Sequence, residues 1–312
     1  MNKKLTLTGA NVFFFIFTIV FIVYQLVLSL FMGEKVNDHM YAIVLINEFV
    51  MILGPVLIYC FVKKINIRET FRFKNPGILP MLLIAAISVP AYFTAAMLNN
   101  VLVYFLQFIG KIPATPFPIP QNLPELAVGI LVIGAAPGIC EEIMHRGLLL
   151  RAYEKRGTYK AVFIVSVYFG IFHFDITNFF GPVFLGLIIG YYVVRTDSIF
   201  AGIFAHFLNN TIAEVLQYIW RDQPYSEYIT LTWSDLKEIL LLGSVCLIIT
   251  VFLIMLFKKV TEGRAVIVPP IANVGRDVRA ILSHWPIILV LVIYVLMLLL
   301  YILTIVLLKA MG

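Results

Sequence analysis

Charge is scarce in this chain. Only 13% of its 312 residues are Asp, Glu, Lys or Arg, where a soluble domain carries roughly a quarter. A surface covered in charge is therefore excluded, and with 62% hydrophobic residues and a mean hydropathy of +0.99 the composition is that of a membrane protein. Cysteine is also scarce. Cys60, Cys140 and Cys246 are odd in number, scattered and set in apolar stretches, which excludes a disulfide framework or a CxxC metal site. HExxH, internal repeats and low-complexity segments are absent. The net charge of +6 does not imply a nucleic-acid partner. Lys and Arg sit in short clusters between apolar runs, with no basic face interleaved with aromatics, so they read as topology determinants in a lipid bilayer.

What is present is a series of apolar runs. A membrane-spanning helix needs roughly 20 mostly apolar residues, and nine segments qualify: about 11–31, 40–62, 78–109, 123–150, 160–176, 179–195, 198–220, 236–257 and 285–308. The expected fold is an all-α polytopic bundle of eight to nine helices. The first run is too long for a signal-peptide core and no small-residue cleavage site follows it, so it reads as a retained helix. The fifth and sixth are short and joined by a tight turn from Phe174 to Gly181. The third carries Pro90, a position for a kink or break. With the N-terminus in the cytoplasm, the inside loops hold 17 cations and the outside loops five (Lys35, Lys111, Arg221, Lys237 and Lys309), Arg146 lying within a helix. A wrong helix count would scramble that alternation. The expected setting is a multi-pass cell-membrane protein with a cytoplasmic N-terminus. The longest inside loop, 259–284, contains Pro269-Pro270 and reads as a surface linker. Three units follow: N-terminal helices over 1–119, a core over 120–220, and C-terminal helices over 221–312.

An ionisable group at mid-membrane costs roughly 2.5–3.5 kcal/mol on insertion scales and asks for a reason. Such groups concentrate in three segments: Pro137 to Arg146 on the fourth helix, Phe169 to His173 on the fifth, and His206 to Asn210 on the seventh. Residues four apart share a helix face, so Glu142 pairs with Arg146 as structural support and Glu141 with His145. His206 and Asn210 share a face, which Glu214 extends. Counted from the cytoplasmic helix ends at about 1.5 Å per residue, Glu141 lies ~15 Å deep, His173 ~20 Å, and His206 and Asn210 ~12 and ~18 Å. Polar groups from three helices thus occupy one layer. A partly desolvated carboxylate suits a general base, a histidine beside it can orient water, and a His–Asn pair offers two donors to one point, as an oxyanion requires.

At these residues the sequence resembles the CPBP family, the CAAX-protease and bacteriocin-processing intramembrane peptidases, also called the Abi family. The family's EExxxR, FxxxH and HxxxN motifs stand here, in order, as Glu141-Glu142 with Arg146, Phe169 with His173, and His206 with Asn210. The resemblance covers about residues 120–220. It implies an intramembrane endopeptidase acting on a membrane-associated or exported peptide or protein, in some members a lipidated one. It also implies roles: Glu141 and His173 activate water, and His206 and Asn210 form the oxyanion site. The family also includes bacteriocin-immunity proteins and scaffolds that have lost activity.

Other readings compete. Asn209 shares a face with His206 almost as well as Asn210 does, and the motif decides between them. His145 reads as structural or supporting, Phe169 as packing, Glu214 as a pore or partner residue. Cys140 as a nucleophile is disfavoured by its apolar setting. The expected mechanism uses no cofactor. Zinc on Glu141, His145, His173 and His206 is the alternative, against which stand the missing HExxH and the poor ligation of zinc by an amide. Transporters also bury charge, but their polar residues trace a path and do not form a single layer. Geometrically, Glu141, His173, His206 and Asn210 should line one cavity nearer the end bearing Arg151, Lys160 and Arg195. Their polar atoms should lie ~3–7 Å apart, with Glu142 turned away toward Arg146.

Overall fold

The computed structural model describes residues 5–114, 118–224 and 226–311. Among them seven helices are long and apolar enough to cross a membrane. They are α1 (Leu7–Met32), α2 (Met40–Val62), α3 (Ile78–Leu106), α4 (Leu123–Arg156), α7 (Ile199–Ile219), α8 (Trp233–Val260) and α10 (Trp285–Ala310). Two shorter apolar helices, α5 (Thr158–Phe172) and α6 (Phe180–Thr196), lie between α4 and α7. Each coincides with an apolar run of the sequence, so the polytopic helical bundle is as expected. The strands are minimal, β1 (Ile112–Pro113) pairing antiparallel with β2 (Tyr228–Ile229). α3 packs along α8 and α6 along α5, while α4 is flanked by α2 and α7.

Pro90 does not break α3, which is helical from Ile78 to Leu106. Polar hydroxyls supply bonds around it: Ser88 Oγ donates to Ile84 O (2.8 Å) and Thr94 Oγ1 to Pro90 O (2.9 Å). Three widened π-helical segments interrupt the helices that matter most, Ile46–Leu53 in α2, and Ile130–Ala135 and Ile143–Leu149 in α4. Such bulges occur frequently at functional sites.

The two ends of the bundle differ. At one end Arg72 Nη2 donates to both oxygens of Glu154 (2.6 Å), and its Nε ion-pairs with Asp197 (2.9 Å). Arg151 joins Glu154 (3.1 Å), and Arg195 donates to Lys258 O and Thr261 Oγ1. These residues come from loops and helix ends far apart in the chain, so their convergence places the basic clusters on one end. The 259–284 segment departs from the expectation of a plain linker. It contains α9 (Val274–Leu282), capped by Asn273 Oδ1, which accepts from Arg276 N, and anchored by Asp277 to Arg156 (2.6 Å) and Lys160 (2.5 Å). The opposite, cation-poor end is tied by backbone bonds from Lys111 N to Ile305 O and Ala114 N to Glu227 O, and by the Gln107 side-chain amide, which donates to Leu231 O and accepts from Leu231 N.

The shortness of α5 positions the site. Fifteen residues span only ~22 Å, against ~30 Å of hydrocarbon. Its C-terminal cap, His173, and the following turn therefore end inside the bundle. Irregular backbone at that depth is tolerated only when buried in protein or lining a wet cavity. Here it is satisfied locally: Asp175 Oδ1 accepts from Thr177 N and Oγ1, and Asn99 accepts from Gly181 N (2.7 Å) while donating to Asn178 (2.9 Å).

Candidate active site

α4 carries Glu141 and Glu142 on adjacent positions, so the helical screw sends them to different neighbours. Glu142 is fully buried. Its Oε1 accepts from Arg146 Nη1 (2.6 Å), the pairing four residues apart that the sequence predicts. It also accepts from His206 Nδ1 (3.0 Å), a link the sequence reading does not contain. Gly202 on α7 makes room, since a Cβ there would stand 2.9 Å from Glu142 Oε2. Arg146 is buried too. It donates to Gly186 O (3.2 Å), and its guanidinium stacks on Phe169, 4.6 Å from the ring centre. Glu142 and Arg146 thus hold α4 to α6 and α7 and orient His206.

Glu141 faces a cavity of about 560 Å³ that His173, His206 and Asn210 also line; Glu142 is outside it. Glu141 Oε2 and His206 Nε2 are 4.0 Å apart. Hydrogen bonding orients each ring. His173 Nδ1 meets Phe169 O (2.8 Å), and His206 Nδ1 meets the Glu142 carboxylate. A carbonyl and a carboxylate accept, so both Nδ1 atoms carry hydrogen and both Nε2 atoms are left for the cavity. The Asn210 amide is held from both sides: Nδ2 donates to Ile133 O (3.1 Å), inside a π-helical segment, and Oδ1 accepts from Asn209 Nδ2 (3.2 Å). One N–H of Asn210 remains. The four residues are therefore brought together, and Asn209 serves as the brace of Asn210.

The remaining assignments separate cleanly. His145 lies outside the cavity, with Nδ1 bonded to Glu141 O (3.0 Å) and its ring against Phe169 and Phe172. Phe169 touches the rings of His145, His173 and His206. Cys140 is fully buried and does not line the cavity. Among the described residues no three His, Cys, Asp or Glu side chains are grouped to hold a metal ion.

Two features depart from expectation. The cavity extends toward the cation-poor end, not toward Arg151, Lys160 and Arg195: its wall includes Asn99 and Asn178 beside the 173–179 turn, and Gln217 near the end of α7. The physical reason is the short α5. The depth count set His173 ~20 Å from the basic end, already past the middle of a ~30 Å core, so an opening at that level faces the far side. The wall also reaches outside 120–220. α2 supplies Asn47 and Glu48, and α3 supplies Tyr92, Asn99 and Asn100. Glu48 is the lone acid inside the apolar run 40–62, and the rule that an intramembrane carboxylate marks function was the signal that could have found it.

Residues 123–212 match the family described as type II CAAX prenyl endopeptidase Rce1-like. That segment contains all three motifs, and the family resemblance read from them is borne out. The chain is also 30% identical over 115 residues to the Bacillus subtilis (strain 168) protein named "Putative membrane peptidase YdiL". The alignment covers 36% of this chain and 47% of that protein, so the chain spans about half the length of the curated relative it matches. No solved structure matches the chain.

Proposed function

We propose, from a central segment that matches the Rce1-like endopeptidase family, that this multi-pass membrane protein is an intramembrane endopeptidase of CAAX-protease type. The observation that carries the reading is one cavity lined by Glu141, His173, His206 and Asn210, with Glu141 Oε2 4.0 Å from His206 Nε2.

Glu141 is the general base. It takes a proton from a water that His173 Nε2 holds as acceptor, and the water oxygen adds to the scissile carbonyl carbon. The carbonyl electron pair becomes an oxyanion, met by the free Asn210 N–H and by His206. Because Nδ1–H of His206 is committed to Glu142, the ring donates from Nε2 in its doubly protonated form. The proton on Glu141 then passes to the departing amine as the C–N bond breaks, leaving a carboxyl and an amine terminus. Glu142 and Arg146 position His206. No metal enters these steps.

The N-terminus and the basic end lie in the cytoplasm by the positive-inside rule, so the cavity extends toward the opposite leaflet. That favours exported or membrane-embedded peptides over cytoplasmic prenylated tails.

The test uses full-length protein in detergent with a synthetic decapeptide library read by mass spectrometry. Wild type is expected to cleave and Glu141→Gln not to, and phenanthroline or EDTA should leave cleavage intact. Equal cleavage by Glu141→Gln would overturn the assignment of the base. Activity that tracked bound zinc would overturn the metal-free mechanism.

A further inference from the structure

Two carboxylates in this cavity have no part in the mechanism. Glu48 on α2 is 6% exposed and Glu214 on α7 is 1% exposed, and both line the cavity wall. Neither has a hydrogen-bond or ion-pair partner among the described residues, and Oε2 of each is a buried acceptor with nothing bonded to it. Glu214 is seated in a notch of α4, where a Cβ on Gly129 would stand 2.4 Å from its Oε2. Three amides add to the set. Asn47 Oδ1, Asn209 Oδ1 and Gln217 Oε1 are buried acceptors without partners in the same wall. For Asn209 the orientation is fixed, because its Nδ2 donates to Asn210. Among the described residues no Lys or Arg lines the cavity.

An unpaired carboxylate within a membrane bundle is expensive and is kept for function. Two of them, among unfilled acceptor oxygens and without a cation among the described residues, describe the complement of a cationic, donor-rich group. We propose that Glu48 and Glu214, with Asn47, Asn209 and Gln217, form a subsite for a lysine or arginine side chain of the peptide substrate. The inference rests on the endopeptidase reading and names the substrate class for the same cavity.

The spacing predicts where the basic residue falls. His206, Asn210, Glu214 and Gln217 form one stripe along α7, all on the cavity wall. Glu214 is one turn beyond Asn210, ~6 Å, and ~12 Å beyond His206. An extended peptide advances ~3.3 Å per residue. The basic side chain therefore lies about two to four residues from the scissile bond, toward the cation-poor end.

Binding can be read apart from cleavage on the full-length Glu141→Gln protein. Its partners would be fluorescent decapeptides in which each position is scanned as lysine or uncharged norleucine. At one or two positions lysine is expected to bind about tenfold or more tightly, equivalent to one decade in Kd. Adding Glu48→Gln or Glu214→Gln should erase that preference, and Glu214→Asp should retain it. Each variant is first checked by thermal unfolding, and if one glutamine form does not fold the other carries the test. Equal binding of lysine and norleucine peptides at every position would overturn the subsite. A preference that persisted in both glutamine variants, or a site filled equally well by sodium or potassium ions, would do the same. Lysine-selective binding without cleavage by wild type would defeat the peptidase reading and leave the subsite standing. Cleavage by wild type without basic preference would do the reverse.

Discussion

The two ends of this bundle treat charge in opposite ways. At the basic end Arg72, Glu154 and Asp197 are nearly buried and paired with one another, and Asp277 is held between Arg156 and Lys160. Within the cavity that runs toward the other end, Glu48 and Glu214 are equally buried and have no partner among the described residues. Paired charge pins loops to loops and orients the chain. A buried carboxyl without a partner ties no elements together, and the proposed basic subsite rests on that difference. Glu141 and Glu142 show the same division one residue apart, the first open to the cavity and the second bound to Arg146 and His206.

The largest expected effect is on catalysis. Glu141→Ala, His173→Ala and His206→Ala should each abolish peptide cleavage while leaving insertion and purification unchanged. Full activity in any one removes that residue from the mechanism. Asn210→Ala should retain some turnover, with kcat reduced about 10²–10³-fold, the usual effect of losing one oxyanion donor. A loss no greater than that of Asn209→Ala would make Asn210 merely a brace.

Stability should fall on substitution at the basic end and not in the cavity. Arg72→Met strands Glu154 and Asp197, and removing one partner of a buried pair costs about 3–5 kcal/mol, read as a lower melting temperature or denaturant midpoint in detergent. Glu48→Gln removes an unpaired carboxylate and should leave stability unchanged or raise it by roughly 1 kcal/mol, a typical gain from relieving a functional site. A fall as large as that of Arg72→Met would show that Glu48 is structurally paired after all.

The smallest effect concerns α9. A hydrogen bond from Lys160, with Arg156 beside it, holds the Asp277 carboxyl below the usual carboxylate range. A lowered folded-state pKa contributes stability that is fully present above the unfolded value, about 3.9. That stability fades as pH falls through the lowered value. Hydrogen exchange at 274–282 should therefore be flat from neutral pH to about 5, once corrected for intrinsic rates, and quicken below about 4. Asp277→Asn should show the faster exchange at every pH.

How much was legible in the sequence differs between these features for physical reasons. Membrane helices are set by length and hydropathy, which are local, and the nine apolar runs recur as helices within a few residues. Spacing of four residues on a helix is local too, so the Glu142–Arg146 pair was readable. The direction of the cavity was not, although the arithmetic was available. The depth count held His173 far from the basic end, but where a cavity opens depends on which neighbours surround it. Glu48 escaped because motif reading drew attention to 120–220, while α2 reaches the site only through packing against α4.

The amino-acid order by itself determined that this chain is a membrane helical bundle, which residues face together along each helix, and which three segments carry ionisable groups. Tertiary structure alone decided that Glu142 and not Glu141 receives His206 Nδ1, that Asn209 braces Asn210, and that helices far apart in the chain complete the cavity wall. Periodicity acts through the helical screw and needs no neighbours. Hydrogen-bond partners between helices depend on their packing, and no period in the sequence encodes it.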